Sequence, residues 1–398
     1  MSDGLAAAAI ALAIVALPGV VVPSFAAWLL MRGRGPGPLD VPNYRGRVVS
    51  PILGLVWPIW AVALLAVQSM LDMAARLGPA EAGGAGIVGR LVDTPLTLPL
   101  YGVPFLLVTG AFAFGLADDA FGRGGPKGFG GHISALRDGR LTTGLVKMVG
   151  IGGLALFYGA GAAPGIVERS GVGLPDGASW GVVLAVWLLA SAVIALSANL
   201  MNLLDLRPGR ALKSYVVLAA APAALFAVRV MASFDAQLAP FAGEIAGLGL
   251  TAPESTAVVV GTLLVVLGPV FAVWRYDLGE QAMLGDAGAN VMGVIVGYLL
   301  TAIMPLWGLA VSALILLALN LASERVSFSG VIERTPPLAW LDRLGRLPDD
   351  AWPDAGPSDA GPPAESQDRI PEAASPDGAP DGPPVRYHAS GNPTSRED

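Results

Sequence analysis

The chain has 398 residues, of which 54% are hydrophobic and only 14% are charged, and its mean hydropathy is +0.62. This composition excludes a soluble globular domain and indicates a membrane protein. The sequence contains no cysteine, which excludes disulfides, thiolate catalysis and cysteine-ligated metals. Its two histidines, His132 and His388, are far apart in sequence and suggest no ligand cluster.

Nine apolar stretches are long enough to approach or complete a bilayer crossing of about 20 residues. The first begins without a basic segment or a clear cleavage site, so we interpret it as a span rather than a signal peptide. The pattern predicts an all-α fold, a polytopic integral membrane helical bundle with about nine or ten transmembrane helices. The stretches are Leu5–Met31, Pro51–Met73, Pro95–Ala117, Thr142–Ala163, Trp180–Ala198, Ala211–Met231, Thr256–Trp274, Val291–Met304 and Leu306–Ser323.

Basic residues concentrate in alternate loops, which indicates the orientation of the chain. Because basic loops stay in the cytoplasm, this pattern predicts an N-terminus outside and a C-terminus inside. The polar segments of interest then all lie at the cytoplasmic face. The Ala-, Gly- and Arg-rich composition suggests a high-GC bacterium, and we expect the spans to lie in its cytoplasmic membrane. The basic loop residues are Arg32, Arg34, Arg45, Arg47, Arg123, Lys127, Arg137, Arg140, Arg207, Arg210 and Lys213.

The C-terminal segment, residues 347–398, differs in composition from the rest of the chain. It is rich in Pro, Gly, Asp and Ser, has few apolar residues, and contributes much of the formal net charge of −7. Such a segment cannot bury enough surface to offset the entropy lost on ordering. We therefore predict a polytopic domain over residues 1–346 and a disordered acidic tail over residues 347–398.

Two adjacent carboxylates, Asp118 and Asp119, stand at the end of the third apolar stretch. An ionised side chain is costly in hydrocarbon, so this pair belongs at the membrane–water boundary or in a wet cavity. Adjacent like charges repel and are usually relieved by a metal, a basic neighbour or a shared proton. The alternative is that the two aspartates simply end a span in water.

Three polar residues, Asn199, Asn202 and Asp205, end the fifth stretch at a spacing of i, i+3 and i+6. On a helix they form a drifting stripe along one side. This stripe indicates a nucleotide or metal site. The alternative is an interfacial helix end satisfied by water and lipid headgroups.

Asp286 lies in Met-Leu-Gly-Asp-Ala-Gly-Ala-Asn, directly before the eighth apolar stretch. Its flanking glycines permit close approach of the backbone to a ligand, although an Asp at this place also caps a helix. Hard oxygen ligands without Cys or clustered His favour Mg²⁺, which takes one or two carboxylates and bridges substrate phosphates. Lys147, near the start of the fourth stretch, is placed to neutralise phosphate or to snorkel to the interface.

The order of these motifs resembles the polyprenyl-phosphate N-acetylhexosamine-1-phosphate transferases, which include the phospho-MurNAc-pentapeptide translocase and the bacterial GlcNAc-1-phosphate transferase. The shared order is Asp-Asp, a Lys in the next span, Asn-x-x-Asn-x-x-Asp, and Met-x-Gly-Asp-x-Gly. Leu39–Arg45 is similar to the Asp-x-Pro-x-x-Arg loop of that family. The resemblance implies Mg²⁺-dependent transfer of a sugar-1-phosphate from a UDP-sugar to a membrane polyprenyl phosphate, with release of UMP.

The resemblance also implies roles for individual residues. Asp286 and Asp118 would bind the metal, with Asp118 and Asp119 serving the attacking lipid phosphate. Lys147 would pair with phosphate. Asn202 and Asp205 would line the nucleotide and metal pocket, and Asn199 would bind substrate from the same stripe.

The sequence departs from the family in its anion-binding loops. The usual second Asp after the asparagine motif is Pro208, and the C-terminal loop Ser327–Pro337 has no histidine. Arg207 and Arg210 fit a compensating role in substrate binding, because guanidinium groups bind phosphate bidentately, although both also fit ordinary positive-inside loops. A non-catalytic relative that binds a lipid-linked precursor or an envelope-assembly partner is the alternative. A homodimer is left open, and we expect no nucleic-acid partner.

Overall fold

The long apolar segments form helices in the computed structural model, which describes residues 2–33, 35, 37–77, 102–122, 125, 126, 128–171, 179–238 and 252–348. Within these residues, nine helices are long and apolar enough to cross a membrane. The prediction of a multi-pass helical membrane protein is therefore confirmed. Residues 95–101 of the third predicted stretch, the loop positions Arg34, Arg123 and Lys127, and the tail from residue 349 lie outside the described residues.

The elements follow one another with short connections over most of the described chain. A π-helical turn, Leu17–Val21, joins the first two helices into one long span, and a short 3₁₀ turn, Ile52–Leu55, leads into α3. The helices are α1 Ser2–Ala16, α2 Val22–Arg32, α3 Val56–Leu77, α4 Val103–Phe121, α5 Gly128–Arg137, α6 Thr143–Arg169, α7 Ser179–Leu204, α8 Arg210–Leu238, α9 Ala252–Leu278, α10 Gly285–Ile303, α11 Leu306–Ser323, α12 Phe328–Arg334 and α13 Pro336–Arg343.

The only strands in the described chain form a small hairpin between α2 and α3. β1 (Val41–Pro42) pairs antiparallel with β2 (Val48–Val49). The turn between them is closed by a hydrogen bond from the Asn43 amide to the Arg47 carbonyl. This hairpin contains most of the loop that resembles the Asp-x-Pro-x-x-Arg motif, so the motif is held in a fixed conformation at one end of the bundle.

Helix α10 lies at the centre of the bundle and packs against α4, α7 and α8. Most of its residues are buried, whereas the other spans leave much of their surface exposed. Large apolar side chains such as Val149 and Val217 are 67% and 66% exposed. Because a soluble protein rarely exposes so much apolar surface, these outer faces are suited to contact with lipid.

The start of α10 differs from the sequence expectation and positions the site. The eighth apolar stretch was predicted from Val291, but the helix begins at Gly285. A Cβ on Gly115 of α4 would lie 2.7 Å from the backbone nitrogen of Ala287, so only glycine permits this approach of α4 to α10. The polar sequence before Val291 is therefore helical because neighbouring elements bond its first turn.

Candidate active site

Asp119 of α4 caps the N-terminus of α10. Its Oδ1 accepts a hydrogen bond from the backbone N–H of Asp286 at 2.9 Å, and its Oδ2 accepts one from Ala287 at 3.0 Å. The first N–H groups of a helix have no partner within the helix, and a carboxylate there is also favoured by the helix dipole. Gly285 precedes this turn with a φ of 66°, a conformation that glycine adopts without strain.

Lys147 of α6 lies between two carboxylates from different helices. Its Nζ is 2.7 Å from Oδ2 of Asp118 and also forms an ion pair and hydrogen bond with Oδ2 of Asp286. The side chains of Lys147, Asp118 and Asp286 are 10%, 15% and 30% exposed, so Asp286 is the one most open to solvent. Three predicted site residues from α4, α6 and α10 thus form one ionic cluster.

Polar side chains also bond the first turns of the two helices that carry Lys147 and Asp286. The Thr142 hydroxyl caps α6 by accepting a hydrogen bond from the Leu145 amide, and it also contacts Nδ1 of His132 at 2.8 Å. On α10, the Asn290 amide donates to the carbonyl of Asp286 at 2.7 Å. The sequence suggested no role for Thr142 or Asn290. Asn290 lies one helical turn after Asp286 of the Gly-Asp-x-Gly motif.

The three residues of the asparagine stripe, Asn199, Asn202 and Asp205, have different surroundings in the structure. Asn199 donates to Oδ1 of Asn320 on α11 at 2.5 Å and thus ties two helices together. Oδ1 of Asn202 is buried and has no hydrogen-bond partner among the described residues. Asp205 lies in the turn after α7 ends at Leu204.

Asp205 belongs to a group of carboxylates at the same end of the bundle. Burial raises the pKa of Asp205 well above its usual value, and the nearby charges of Asp277, Asp286 and Asp119 raise it further. Asp277, which is 3% exposed, accepts a hydrogen bond from the Gly209 amide at 2.5 Å. Sequence analysis missed Asp277, whose only signal was a carboxylate at the end of an apolar stretch.

The two arginines predicted to bind substrate are bonded to carboxylates of the chain itself. Arg210 is 4% exposed, and its Nε and Nη2 contact the two carboxylate oxygens of Asp342 at 2.7 and 3.3 Å. Arg207 forms an ion pair with Glu333 at 3.2 Å and lies over the ring of Tyr44. Both residues therefore attach the α12–α13 segment to the bundle, and their role in substrate binding stays a prediction.

Glu280 anchors the hairpin that carries the Asp-x-Pro-x-x-Arg-like motif. It is 2% exposed and accepts hydrogen bonds from the side-chain amide of Asn43 at 2.9 Å and from the Tyr44 hydroxyl at 3.2 Å. Its carboxylate also pairs with Arg45 at 3.0 Å. Glu280 has a φ of 50°, which is costly for a non-glycine residue and persists only where surrounding contacts enforce it. These contacts fix the hairpin beside the loop that leads into α10.

The donor set is compatible with Mg²⁺. Within the described part of the chain, no three His, Asp or Glu residues are arranged to hold a metal by themselves. Mg²⁺ is usually bound by one or two carboxylates together with waters and substrate phosphates. Asp118 and Asp286, which both pair with the Lys147 ammonium, provide such a carboxylate pair.

No protein-family model matches this chain, and no curated protein is significantly similar to it.

Proposed function

We propose that the chain is a phosphoglycosyl transferase of bacterial cytoplasmic membranes, with its N-terminus outside and its site at the cytoplasmic face. It would transfer a sugar-1-phosphate from a UDP-sugar to a polyprenyl phosphate. The observation that carries this proposal is the meeting of Asp118, Lys147 and Asp286 at the N-terminus of α10, which Asp119 caps. A cation between carboxylates at the end of apolar helices suits a reaction between a soluble diphosphate and a membrane phosphate.

In the reaction, a phosphate oxygen of the lipid forms a bond to the β-phosphorus of the UDP-sugar. The bond from that phosphorus to the bridging oxygen breaks, and UMP leaves with the electron pair. Bound Mg²⁺ would neutralise charge on the diphosphate, held by Asp118 and Asp286. Lys147 would donate hydrogen bonds to phosphate oxygens, stabilising charge that develops on them. Asp119 would keep the first turn of α10, and thus Asp286, in position.

The charge of the cluster supports this division of roles. Two carboxylates and one ammonium give the site a net negative charge. Such a site attracts a divalent cation and repels a diphosphate until the cation is bound. Asp118 and Asp286 would hold the cation, which would leave the Lys147 ammonium available to donate to an incoming phosphate. The lipid-facing outer surfaces of the spans allow a polyprenyl chain to remain in the membrane while its phosphate reaches this end of the bundle.

The test is release of UMP by the detergent-purified protein with undecaprenyl phosphate, Mg²⁺ and a panel of UDP-sugars. Asp286→Asn should abolish release while preserving nearly the same volume. Asp138→Asn is the matched control, because Asp138 is a 58% exposed side chain that pairs only with the exposed Arg140 in the described chain. Turnover in Asp286→Asn equal to that of Asp138→Asn would exclude Asp286 from the reaction.

A second candidate is a non-catalytic relative that binds a lipid-linked precursor or an envelope-assembly partner. The pairing of Arg207 and Arg210 with Glu333 and Asp342 favours it, because these cations are already neutralised. Silence across the panel of UDP-sugars, from protein with a cooperative thermal transition, would favour this candidate. Binding of a lipid-linked sugar diphosphate without UMP release would then be the supporting result.

A further inference from the structure

The first span packs closely against α9 around Gly19, and a cavity lies between the two helices one to two turns further along. A Cβ on Gly19 would lie 3.0 Å from the Leu264 carbonyl oxygen of α9. A Cβ on Gly268, one turn further along α9, would meet the Gly19 carbonyl oxygen. One turn further along α9, larger side chains replace these glycines. A cavity of about 450 Å³ opens there, lined by Ser24, Phe271, Ala272, Trp274, Arg275 and Tyr276. It lies towards the same ends of α2 and α9 that lead into the site loops.

The helices beside this cavity expose aromatic side chains. Phe271 of α9 is 57% exposed, and its ring centroid lies 5.8 Å from that of Trp274. On α2, Phe25 is 58% exposed and stacks on Trp28 at 5.5 Å. Trp and Tyr concentrate where a membrane protein crosses the boundary between hydrocarbon and headgroups. Trp28, Trp274 and Tyr276 beside the cavity therefore favour a position near headgroup depth.

Two arginines at this boundary differ from those around the site. Arg275 lies over the ring of Tyr276 at 4.5 Å and bonds its hydroxyl, while Arg32 lies over Trp28 at 4.6 Å. Within the described residues, neither guanidinium forms an ion pair, whereas Arg45, Arg207, Arg210 and Arg346 all do. Arg275 lines the cavity, so a cation that has no counter-charge among the described residues stands next to an apolar groove.

We propose that the groove between α2 and α9 is a binding site for an anionic glycerophospholipid. The phosphate would contact the Arg275 guanidinium and the Ser24 hydroxyl, with Arg32 adding positive charge nearby. The acyl chains would lie along Phe271 and the adjacent apolar surface. Basic pockets between transmembrane helices recognise anionic headgroups in this way, and a guanidinium suits phosphate because its donors form a planar fork.

A membrane lipid fits this groove better than the polyprenyl substrate of the proposed reaction. No lining residue in the described chain bonds to Asp118, Lys147 or Asp286, which come from α4, α6 and α10. A phosphate held at Arg275 is thus bound by a different set of groups. The inference does not depend on the proposed transferase activity.

Native mass spectrometry of the detergent-purified full chain tests the proposal. Phosphatidylglycerol should be retained in preference to phosphatidylcholine with identical acyl chains. Arg275→Gln should reduce that retention by roughly fivefold. Arg343→Gln is the matched control, because it removes the same charge from an exposed position on α13, and it should retain the lipid like the unmodified chain.

Three results would overturn the proposal: equal retention of the two lipids, unchanged phosphatidylglycerol retention in Arg275→Gln, or displacement of phosphatidylglycerol by equimolar undecaprenyl phosphate. The last result would assign the groove to the substrate instead. If Arg275→Gln does not fold, Ser24→Leu provides the same test, because it removes the hydroxyl proposed to bond the phosphate and narrows the groove without changing charge. Loss of retention in Ser24→Leu supports the site, and unchanged retention contradicts it.

Discussion

Asp119 and Asp286 are carboxylates on different helices, and the first holds the backbone of the second. Oδ1 of Asp119 accepts the Asp286 backbone N–H at 2.9 Å, while the Asp286 side chain contacts Lys147. Asp119 therefore acts as a helix cap supplied from another element, and Asp286 presents its carboxylate to the cluster. Adjacent in sequence, Asp118 and Asp119 have separate roles, since Asp118 bonds Lys147 and Asp119 bonds the α10 backbone.

Asp119→Ala should lower both stability and activity. Loss of a side-chain cap costs about 0.5–2 kcal/mol, and the backbone N–H groups of Asp286 and Ala287 would lose the carboxylate that they bond in the described structure. Thermal unfolding in detergent measures the stability, and UMP release measures the activity. Asp119→Asn retains one acceptor and should fall between Ala and the unmodified chain. A transition temperature of Asp119→Ala equal to that of the unmodified chain would refute the capping role.

Lys147→Met should destabilise the protein more strongly than Asp119→Ala. Removing one member of a buried ionic group leaves uncompensated charge and typically costs about 3–5 kcal/mol. Here it leaves Asp118 and Asp286 facing each other without an ammonium. A divalent cation should then recover part of the loss, so Mg²⁺ should raise the transition temperature of Lys147→Met more than that of the unmodified chain.

The control for Lys147→Met is the double variant Lys147→Met/Asp286→Asn. Removing one carboxylate relieves the repulsion and should reduce the response to Mg²⁺. If Mg²⁺ shifts the single and double variants equally, the cation binds elsewhere and the assignment of Asp118 and Asp286 as metal ligands fails.

The sequence predicted the helical spans because their length and apolarity are local properties. It also predicted Asp118, Lys147 and Asp286 as one site, through the order of their motifs. It did not predict that Asn199 bonds Asn320, that Arg210 bonds Asp342, or that Asp119 caps α10. Each of these partners is more than 100 residues away, so the pairing depends on how helices pack rather than on periodicity within either segment.

The start of α10 shows the same limit. Gly285–Asn290 contains four small residues and two polar ones, a composition that favours a loop before a span. The segment is helical because α4 approaches at Gly115 and because Asp119 satisfies its first N–H groups. The boundary was thus set by another helix, which a single-sequence pattern does not contain.

The Arg210–Asp342 pair should make stability depend on pH at the acidic end. Burial alone would raise the pKa of Asp342, but Arg210, together with Arg346 and Lys213, outweighs this effect and holds it below its usual value. A depressed pKa stabilises the folded state above the unfolded pKa of about 3.9. That stabilisation is lost as pH falls through the lower, folded value.

Thermal unfolding of the unmodified chain and of Asp342→Asn between pH 7 and pH 3 measures this contribution. The unmodified chain should be more stable at pH 7, and the difference should shrink below about pH 4. Asp138→Asn, which removes an exposed carboxylate, should follow the unmodified chain throughout. A difference that stays constant across the range would mean that Asp342 stabilises the α12–α13 segment through packing rather than through its charge.

Asp205→Asn should stabilise the protein at neutral pH while reducing its activity. Burial and the carboxylates of Asp277, Asp286 and Asp119 raise the pKa of Asp205, so the folded state binds its proton more tightly than the unfolded state does. Stability then decreases as pH rises above the unfolded pKa of about 3.9, and the uncharged amide removes this penalty. The transition temperature of Asp205→Asn should therefore exceed that of the unmodified chain at pH 7 and converge with it towards pH 4.

Reduced UMP release from this more stable Asp205→Asn variant would assign Asp205 to function, because a residue retained for stability would show the opposite effect. A variant with lower stability at pH 7 would show that Asp205 is charged and satisfied in the folded protein.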